Sequence, residues 1–372
     1  MADELVSRAE AFASALAADL AARGENLYQG MPSDADSRFG YRRMGEAGLI
    51  GLHWPARLGG QGAAPQQTIA AEERFGYHWL PLSGYLLSVK TIGNALLRYA
   101  QPGLAERLLP PVAHGELLFC QGFSEPDAGS DLAALRTRAT LSGGRFIVSG
   151  RKLWTSSAEY ADWVYLAVRT DPGRQRHRGL SVLVADIRSP GIQVTTHRTM
   201  GGGTLGELVL DEVEIPASQL VGELHGGWAV LMGTLDYERV TSEKVGVAQR
   251  LLDQLDQHCD DPAARRALRR LRGECQAARL HGLRATELLA AGRPASAASS
   301  MAKLSAALLL QRLAATAVEM LGPAGLIEPA GDGPAQGRFA AFHRAAVAAT
   351  IAGGASDVQR RVIARRGLGC AG

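Results

Sequence analysis

A run of hydroxyl, glycine and acidic residues stands out in this 372-residue chain: Phe119-Cys120-Gln121-Gly122-Phe123-Ser124-Glu125-Pro126-Asp127-Ala128-Gly129-Ser130-Asp131. Ser124 and Ser130 supply hydroxyls, and Gly129 lets backbone amides come close to a bound group. Such a loop can present donors to a flavin edge or a phosphate, although Ser, Pro, Gly and Asp between strands more often make an ordinary turn. A second run is Ser149-Gly150-Arg151-Lys152-Leu153-Trp154-Thr155-Ser156-Ser157. A tryptophan followed by hydroxyls at a strand end can stack on an aromatic cofactor and hydrogen-bond its polar rim. A core Trp beside a polar turn is the plainer alternative.

Three kinds of element must position these runs. Up to about residue 116 the chain reads as helix: Leu5, Ala9, Phe12, Leu16 and Leu20 recur at the spacing of one helix face. Residues 24–36 interrupt the pattern with Gly, Pro and Asp, and the tag-like string Glu25-Asn26-Leu27-Tyr28-Gln29-Gly30 is taken as native loop. Helices are expected over 39–48, 66–77 and 85–99, with Trp54-Pro55 and Gly59-Gly60-Gln61-Gly62 in a loop between. Pro110-Pro111 should end the helical block.

Residues 117–226 change to short β-rich runs, at 145–148, 163–168, 180–185, 192–195 and 208–215, bounded by turn residues. That spacing suggests a small barrel or sandwich. Residues 227–372 return to helix, over 228–257, 262–291, 296–321, 337–351 and 355–366, the pattern of a four-helix bundle with one extra helix. The expected architecture is therefore α+β and multidomain, with domains at 1–116, 117–226 and 227–372.

Composition narrows the function classes. Apolar residues are 46% and charged residues 21% of the chain, enough to bury a sizeable core. A net charge of +3 gives no case for a nucleic-acid partner or a membrane surface. The four cysteines, Cys120, Cys259, Cys275 and Cys370, show no short paired spacing, which argues against a zinc ribbon or disulfide scaffold and fits a reducing, cytoplasmic setting. The first residues carry acids and no apolar stretch, so no signal peptide is expected. No run of the roughly 20 apolar residues that a membrane span needs is evident.

The ordered motifs resemble the acyl-CoA dehydrogenase family over nearly the whole chain. Its pattern is matched by Trp54-Pro55 with Gly59 to Gly62, by Ser124 to Asp131, by Ser149 to Ser156, by the stretch from Met200 to Gly222, by Leu235-Asp236-Tyr237-Glu238-Arg239, and by Gly353 to Arg360. The resemblance implies a helical N-domain, a middle β-barrel domain and a C-terminal four-helix bundle around FAD. In that family the flavin takes a hydride from the β-carbon of an acyl thioester while a carboxylate removes the α-proton. It further implies cofactor contacts from Phe123, Ser124, Gly129, Ser130, Trp154, Thr155 and Ser156, with Ser130 also near the thioester.

Many family members carry the base one turn before a Gly-Thr-Ser, and that slot is Gly353 here; its backbone N–H remains able to donate to the thioester carbonyl. A branch resembling isovaleryl- and long-chain enzymes places the base instead in a Leu-x-x-Glu-Arg segment, which makes Glu238 the expected base. A Glu in a charged helical segment is otherwise usually solvated. Asp236 and Arg239 become candidate substrate-channel residues, with an intrahelical or core-edge pairing as the alternative. The family's Arg-x-x-Phe-Gly, whose arginine reaches the FAD pyrophosphate of a neighbouring subunit, is missing; Arg265, Arg266, Arg269, Arg270 and Arg272 follow Asp260-Asp261-Pro262 at that place. Glu319 and Ala355 replace a Gln and a Thr of the pattern.

These readings predict FAD-dependent α,β-desaturation of an acyl thioester, linked to CoA or a carrier protein. An electron-transfer flavoprotein or oxygen would be the electron acceptor. The expected assembly is a homo-oligomer, dimer or tetramer, or a mixed complex. The alternatives are a flavin monooxygenase of the same fold and a non-catalytic subunit of a heteromeric enzyme.

Overall fold

The computed structural model describes residues 2–23, 34–174, 176–258, 261–329 and 332–370. The tag-like string from Glu25 to Gly30 lies outside them, as do Cys259 and Asp260. Helix α1 (Ala2–Ala22) buries Leu5, Ala9, Leu16 and Leu20, the face its periodicity marks, and packs on α3 (Pro65–Tyr77). Between them, α2 (Asp34–Glu46) starts earlier than its sequence pattern suggested. The Trp54 indole is fully buried and donates to Asn94 Oδ1 at 3.2 Å, so the Trp-Pro and glycine-rich loop is a core tether.

Helix α4 (Ser83–Tyr85) continues through a π-helical stretch, Leu86–Gly93, into α5 (Asn94–Tyr99). Next, α6 (Pro102–Ala113) contains Pro110 and Pro111, contrary to the expected stop. The carbonyls these prolines cannot bond belong to Glu106 and Arg107, both exposed, where water can serve them.

The β region is one eight-stranded sheet: β1 (Phe119–Gly122), β2 (Arg138–Ser142), β3 (Arg145–Thr155), β4 (Trp163–Arg169), β5 (Leu180–Asp186), β6 (Ile192–Arg198), β7 (Thr204–Pro216) and β8 (Leu220–Val221). Its order is β6-β7-β3-β2-β4-β5-β8, with β1 parallel on β4. Strand β4 carries a hydrophobic run from Trp163 to Val168 because both its faces are covered. Tyr165 and Ala167 join the core shared with the N-terminal helices, while Val164, Leu166 and Val168 join the sheet's own core. The first four residues of the run read as a loop at 119–131 are in fact β1, recruited by parallel pairing that no local pattern announces.

The chain returns to helix with α7 (Gly227–Glu238), α8 (Ser242–Asp256), α9 (Pro262–Ala290), α10 (Ser296–Leu321), α11 (Arg338–Ala345) and α12 (Ser356–Val362). The single helix expected over 228–257 is broken at 239–241, immediately after Glu238. Helix α7 packs on β5 and the π-helical stretch, whereas α8, α9 and α10 pack on one another. Gly76 and Gly246 leave no room for a Cβ, so α3 and α8 touch backbone to backbone and join the two helical regions. Contrary to expectation, Ser296–Leu326 is long and apolar enough to cross a membrane, with mean hydropathy 1.4. Its Ala306, Leu309, Leu310 and Leu313 fill the core of the C-terminal helices.

Candidate active site

The two polar runs of the sequence are joined by a buried ion pair. Lys152 Nζ donates to Glu125 Oε1 at 2.8 Å and to Phe123 O at 3.2 Å. Glu125 also accepts from the Arg136 N–H at 2.6 Å and the Thr137 N–H at 2.9 Å, so both carboxylate oxygens are engaged. Burial pushes the Lys152 ammonium down to about 8 against the pull of Glu125. Burial alone would raise the Glu125 carboxyl, but Lys152 and the Thr137 and Arg136 donors outweigh it and hold it low. The Leu153 N–H to Ser124 O bond, 2.9 Å, completes the join.

Beyond Lys152 the strand is distorted. Strand β3 shifts register between Lys152 and Thr155, and Trp154 lies in the bulge at φ +60 with its side chain 60% exposed. Thr155 is fully buried, yet its Oγ1 has no hydrogen-bond partner among the described residues. Ser156 and Ser124 are half-buried, Ser130 is exposed, and the space around Gly129 is open. The Phe123 ring is buried against Tyr165, centroids 5.8 Å apart, so its backbone is the part placed to meet a cofactor. An exposed indole beside an orphaned hydroxyl suits a flat aromatic group with a polar rim, the chemistry of a flavin.

Glu238 ends α7, and Gln121 of β1 reaches across to it, Nε2 to Oε2 3.2 Å. On the other side stands Gly353, where an added Cβ would lie 3.3 Å from Glu238 Oε1. Glu238 and the vacant slot therefore occupy one place, reached from opposite ends of the bundle sequence. Burial pushes the Glu238 carboxyl above its ordinary value, against Gln121, Arg239, Lys244 and Lys303. A position at the negative end of a helix acts in the same direction.

The surroundings of Gly353 hold its carbonyl from behind. Gln359 Nε2 donates to Gly353 O at 3.1 Å and to Gly354 O at 2.9 Å, and Lys303 Nζ donates to Gly354 O at 2.6 Å. Among the described residues the Gly353 N–H has no acceptor. Asp236 and Arg239 are engaged with each other, Nη1 to Oδ1 3.2 Å, and Ser296 Oγ donates to Asp236 Oδ2 at 2.7 Å. They tie the end of α7 to the start of α10, and Arg239 Nε also lies 3.5 Å from Gly353 O. Gln121, Lys303 and Gln359 were missed from sequence, although Gln121 and Gln359 lie inside recognised motifs.

The arginines of α9 do not gather at this site. Arg270 pairs with Glu274 at 3.3 Å and Arg272 with Asp253 at 2.9 Å, while Arg265, Arg266 and Arg269 are exposed. Glu319 is exposed, and Ala355 precedes α12 without a side-chain cap. A cleft of about 260 Å³ between α8 and α9, lined by Gln249, Leu252, Arg272, Gly273, Cys275 and Gln276, shares no residue with the Glu238 site.

Comparison with known proteins gives the three regions one family. Residues 2–116 match the acyl-CoA dehydrogenase N-terminal domain, residues 120–213 the middle domain and residues 225–368 the C-terminal domain. Acyl-CoA dehydrogenase IpdE1 of Mycobacterium tuberculosis is 32% identical over 88% of this chain and 86% of its own length. The chain belongs to the acyl-CoA dehydrogenase family. Acyl-CoA dehydrogenase FadE26 of the same organism is also 32% identical, over 88% of this chain and 86% of its own. A chain of the ChsE4-ChsE5 complex from Mycobacterium tuberculosis superposes with a TM-score of 0.85 at 28% identity, covering 100% of this chain and 98% of that one.

This acyl-CoA dehydrogenase is thus an FAD-dependent oxidoreductase of acyl thioesters, with the fold that its motifs resemble.

Proposed function

We propose that this enzyme introduces an α,β double bond into an acyl thioester, with Glu238 taking the α-proton. The observation that carries the proposal is the convergence of Glu238 and Gly353. Bound FAD supplies the hydride acceptor for the β-carbon. Trp154, with Thr155 and Ser156, would hold its ring system, and Ser124, Gly129, Ser130 and the Phe123 backbone would line its edge. Glu238, raised by burial, accepts a proton more readily than a solvated carboxylate does. Gln121 orients the carboxylate through Oε2 and leaves Oε1, on the Gly353 side, for the proton. The spare Gly353 N–H would donate to the thioester oxygen as negative charge develops there.

A side chain at 353 would press on Glu238, so a small residue there suits the base. A reacting carboxylate so enclosed favours desaturation over oxygen chemistry or a silent subunit. The thioester handle is CoA or a carrier protein, and an electron-transfer flavoprotein or oxygen would remove the electrons. Arg270 and Arg272 are ion-paired, which leaves the exposed Arg266 and Arg269 as the α9 guanidiniums that could meet the FAD pyrophosphate. We favour an oligomer, homomeric or mixed, in which α9 of a neighbouring subunit approaches that pyrophosphate. The decisive experiment is Glu238→Gln, assayed by anaerobic flavin bleaching with a panel of straight, branched and polycyclic acyl-CoA thioesters. Turnover should fall by roughly 100- to 10,000-fold with the flavin spectrum unchanged. Undiminished bleaching would remove Glu238 from the reaction.

A further inference from the structure

Lys303 makes no direct contact with Glu238, yet it is buried close by. It is the sole charge between Arg293 and Arg312, in a stretch otherwise built of Ala, Ser, Leu and Met with one Pro and one Gln. The residue is only 2% exposed. Placing an ammonium in a helical core costs several kcal/mol unless a carboxylate compensates it. Among the described residues no carboxylate is in ion-pair contact with Lys303. Its hydrogen bond goes instead to Gly354 O, 2.6 Å away. Gly354 adjoins Gly353, at φ +96 and +67, and Gly353 faces Glu238. The chain of contact from ammonium to carboxylate is one glycine turn long.

The charges around Lys303 point the same way. Burial pushes it down to about 8, Lys244 of α8 and Arg239 after α7 push further, and Glu238 is the acid that draws it up. Lys303, Lys244 and Arg239 in turn favour the ionised Glu238. A leucine would satisfy packing at this position at less cost, so packing does not account for a lysine here.

We propose that Lys303 is a positioning residue for the α-proton transfer, holding the Gly353–Gly354 turn against Glu238 and supplying part of the positive field that keeps that carboxylate ready to act. The proposal rests on Glu238 being the base. Two contributions are separable. The hydrogen bond sets where the turn stands, and the charge sets how easily Glu238 is protonated.

The test uses the holoenzyme labelled with ¹³C at glutamate carboxyls, the Glu238 resonance being assigned by its loss in Glu238→Gln. Lys303→Met keeps length and removes both charge and hydrogen bond. Lys303→Gln keeps a donor without the charge and serves also if the Met variant does not fold, and Lys303→Arg keeps the charge. Expected is a rise of roughly 0.5–1 pH unit in the Glu238 titration midpoint for the Met and Gln variants, reversed in the Arg variant. With whichever acyl-CoA of the panel bleaches the wild type, kcat of the Met variant should fall about tenfold or more with little change in KM. The acidic limb of its kcat profile should move to higher pH. An unchanged Glu238 midpoint in folded Lys303→Met or Lys303→Gln protein overturns the proposal. The titration needs no turnover, so it stands apart from the Glu238→Gln assay: active Glu238→Gln protein removes the base, whereas an unmoved midpoint removes only Lys303.

Discussion

Gly353 faces Glu238 so closely that a Cβ on the glycine would stand 3.3 Å from the carboxylate oxygen Oε1, and the glycine backbone lies at φ +67. Both facts disfavour a side chain, one by crowding and one by backbone strain. Gly353→Ala should therefore cost about 1–2 kcal/mol of stability from the left-handed backbone alone. Turnover should fall further than stability explains, because the methyl displaces the reacting oxygen. Thermal unfolding and initial rates, measured side by side, check this; wild-type turnover in the alanine variant would contradict it.

Glu238 should also weigh against stability at neutral pH. Its carboxyl is raised by burial, so the stability it contributes is complete below the unfolded carboxylate pKa and is lost as pH rises through the folded value. Glutamine mimics the protonated form. Glu238→Gln should melt at a higher temperature than wild type near pH 7–8, with the gap closing as pH falls toward about 4. Melting curves across that range test the sign, and a gap that widens in acid would refute the burial account.

Lys152 and Glu125 join the two motif loops in a nearly dry environment, Lys152 being fully buried. Removing the cation strands a buried carboxylate. Lys152→Met should destabilise the protein by about 3–5 kcal/mol, and adding Glu125→Gln should restore part of that loss. Denaturant unfolding of the single and double variants provides the comparison.

Trp154 offers the opposite expectation, since its side chain is 60% exposed and supports little of the core. Trp154→Ala should change stability by no more than about 0.5 kcal/mol in the flavin-free protein. Flavin retention should drop, and Trp154→Phe should keep most of it. The ratio of flavin to protein absorbance after desalting gives the answer.

Much of the site was legible because its motifs are local. Ser124 to Asp131 and Ser149 to Ser156 could be recognised as functional runs from their residues and order. Their joint construction could not, because Lys152 and Glu125 are 27 residues apart and a lysine in a strand reads as exposed. Phe123 shows a second limit of reading motifs. Its place in the motif suggested a cofactor contact, but period-two alternation turned its ring inward toward Tyr165. Pro110 and Pro111 misled for an energetic reason: the lost helix bonds fall on a face where water replaces them.

By itself the sequence determined the order of helices, sheet and helices, the family, and the pairing of a present Glu238 with an absent side chain at 353. The element order comes from periodicity and short motifs, which are properties of neighbouring residues, and the pairing of Glu238 with position 353 comes from the family resemblance those motifs carry. Only the tertiary structure decided that Gln121 and Gly353 meet at Glu238 with Lys303 behind the glycine turn, and that Asp236 and Arg239 pair with each other. Those contacts link residues of β1, α7, α10 and the turn before α12, which are brought together by the break after Glu238 and the packing of α10. A buried charge is also invisible in sequence. Whether Lys303 is solvated or enclosed depends on which helix face the bundle covers, and that choice belongs to the whole fold.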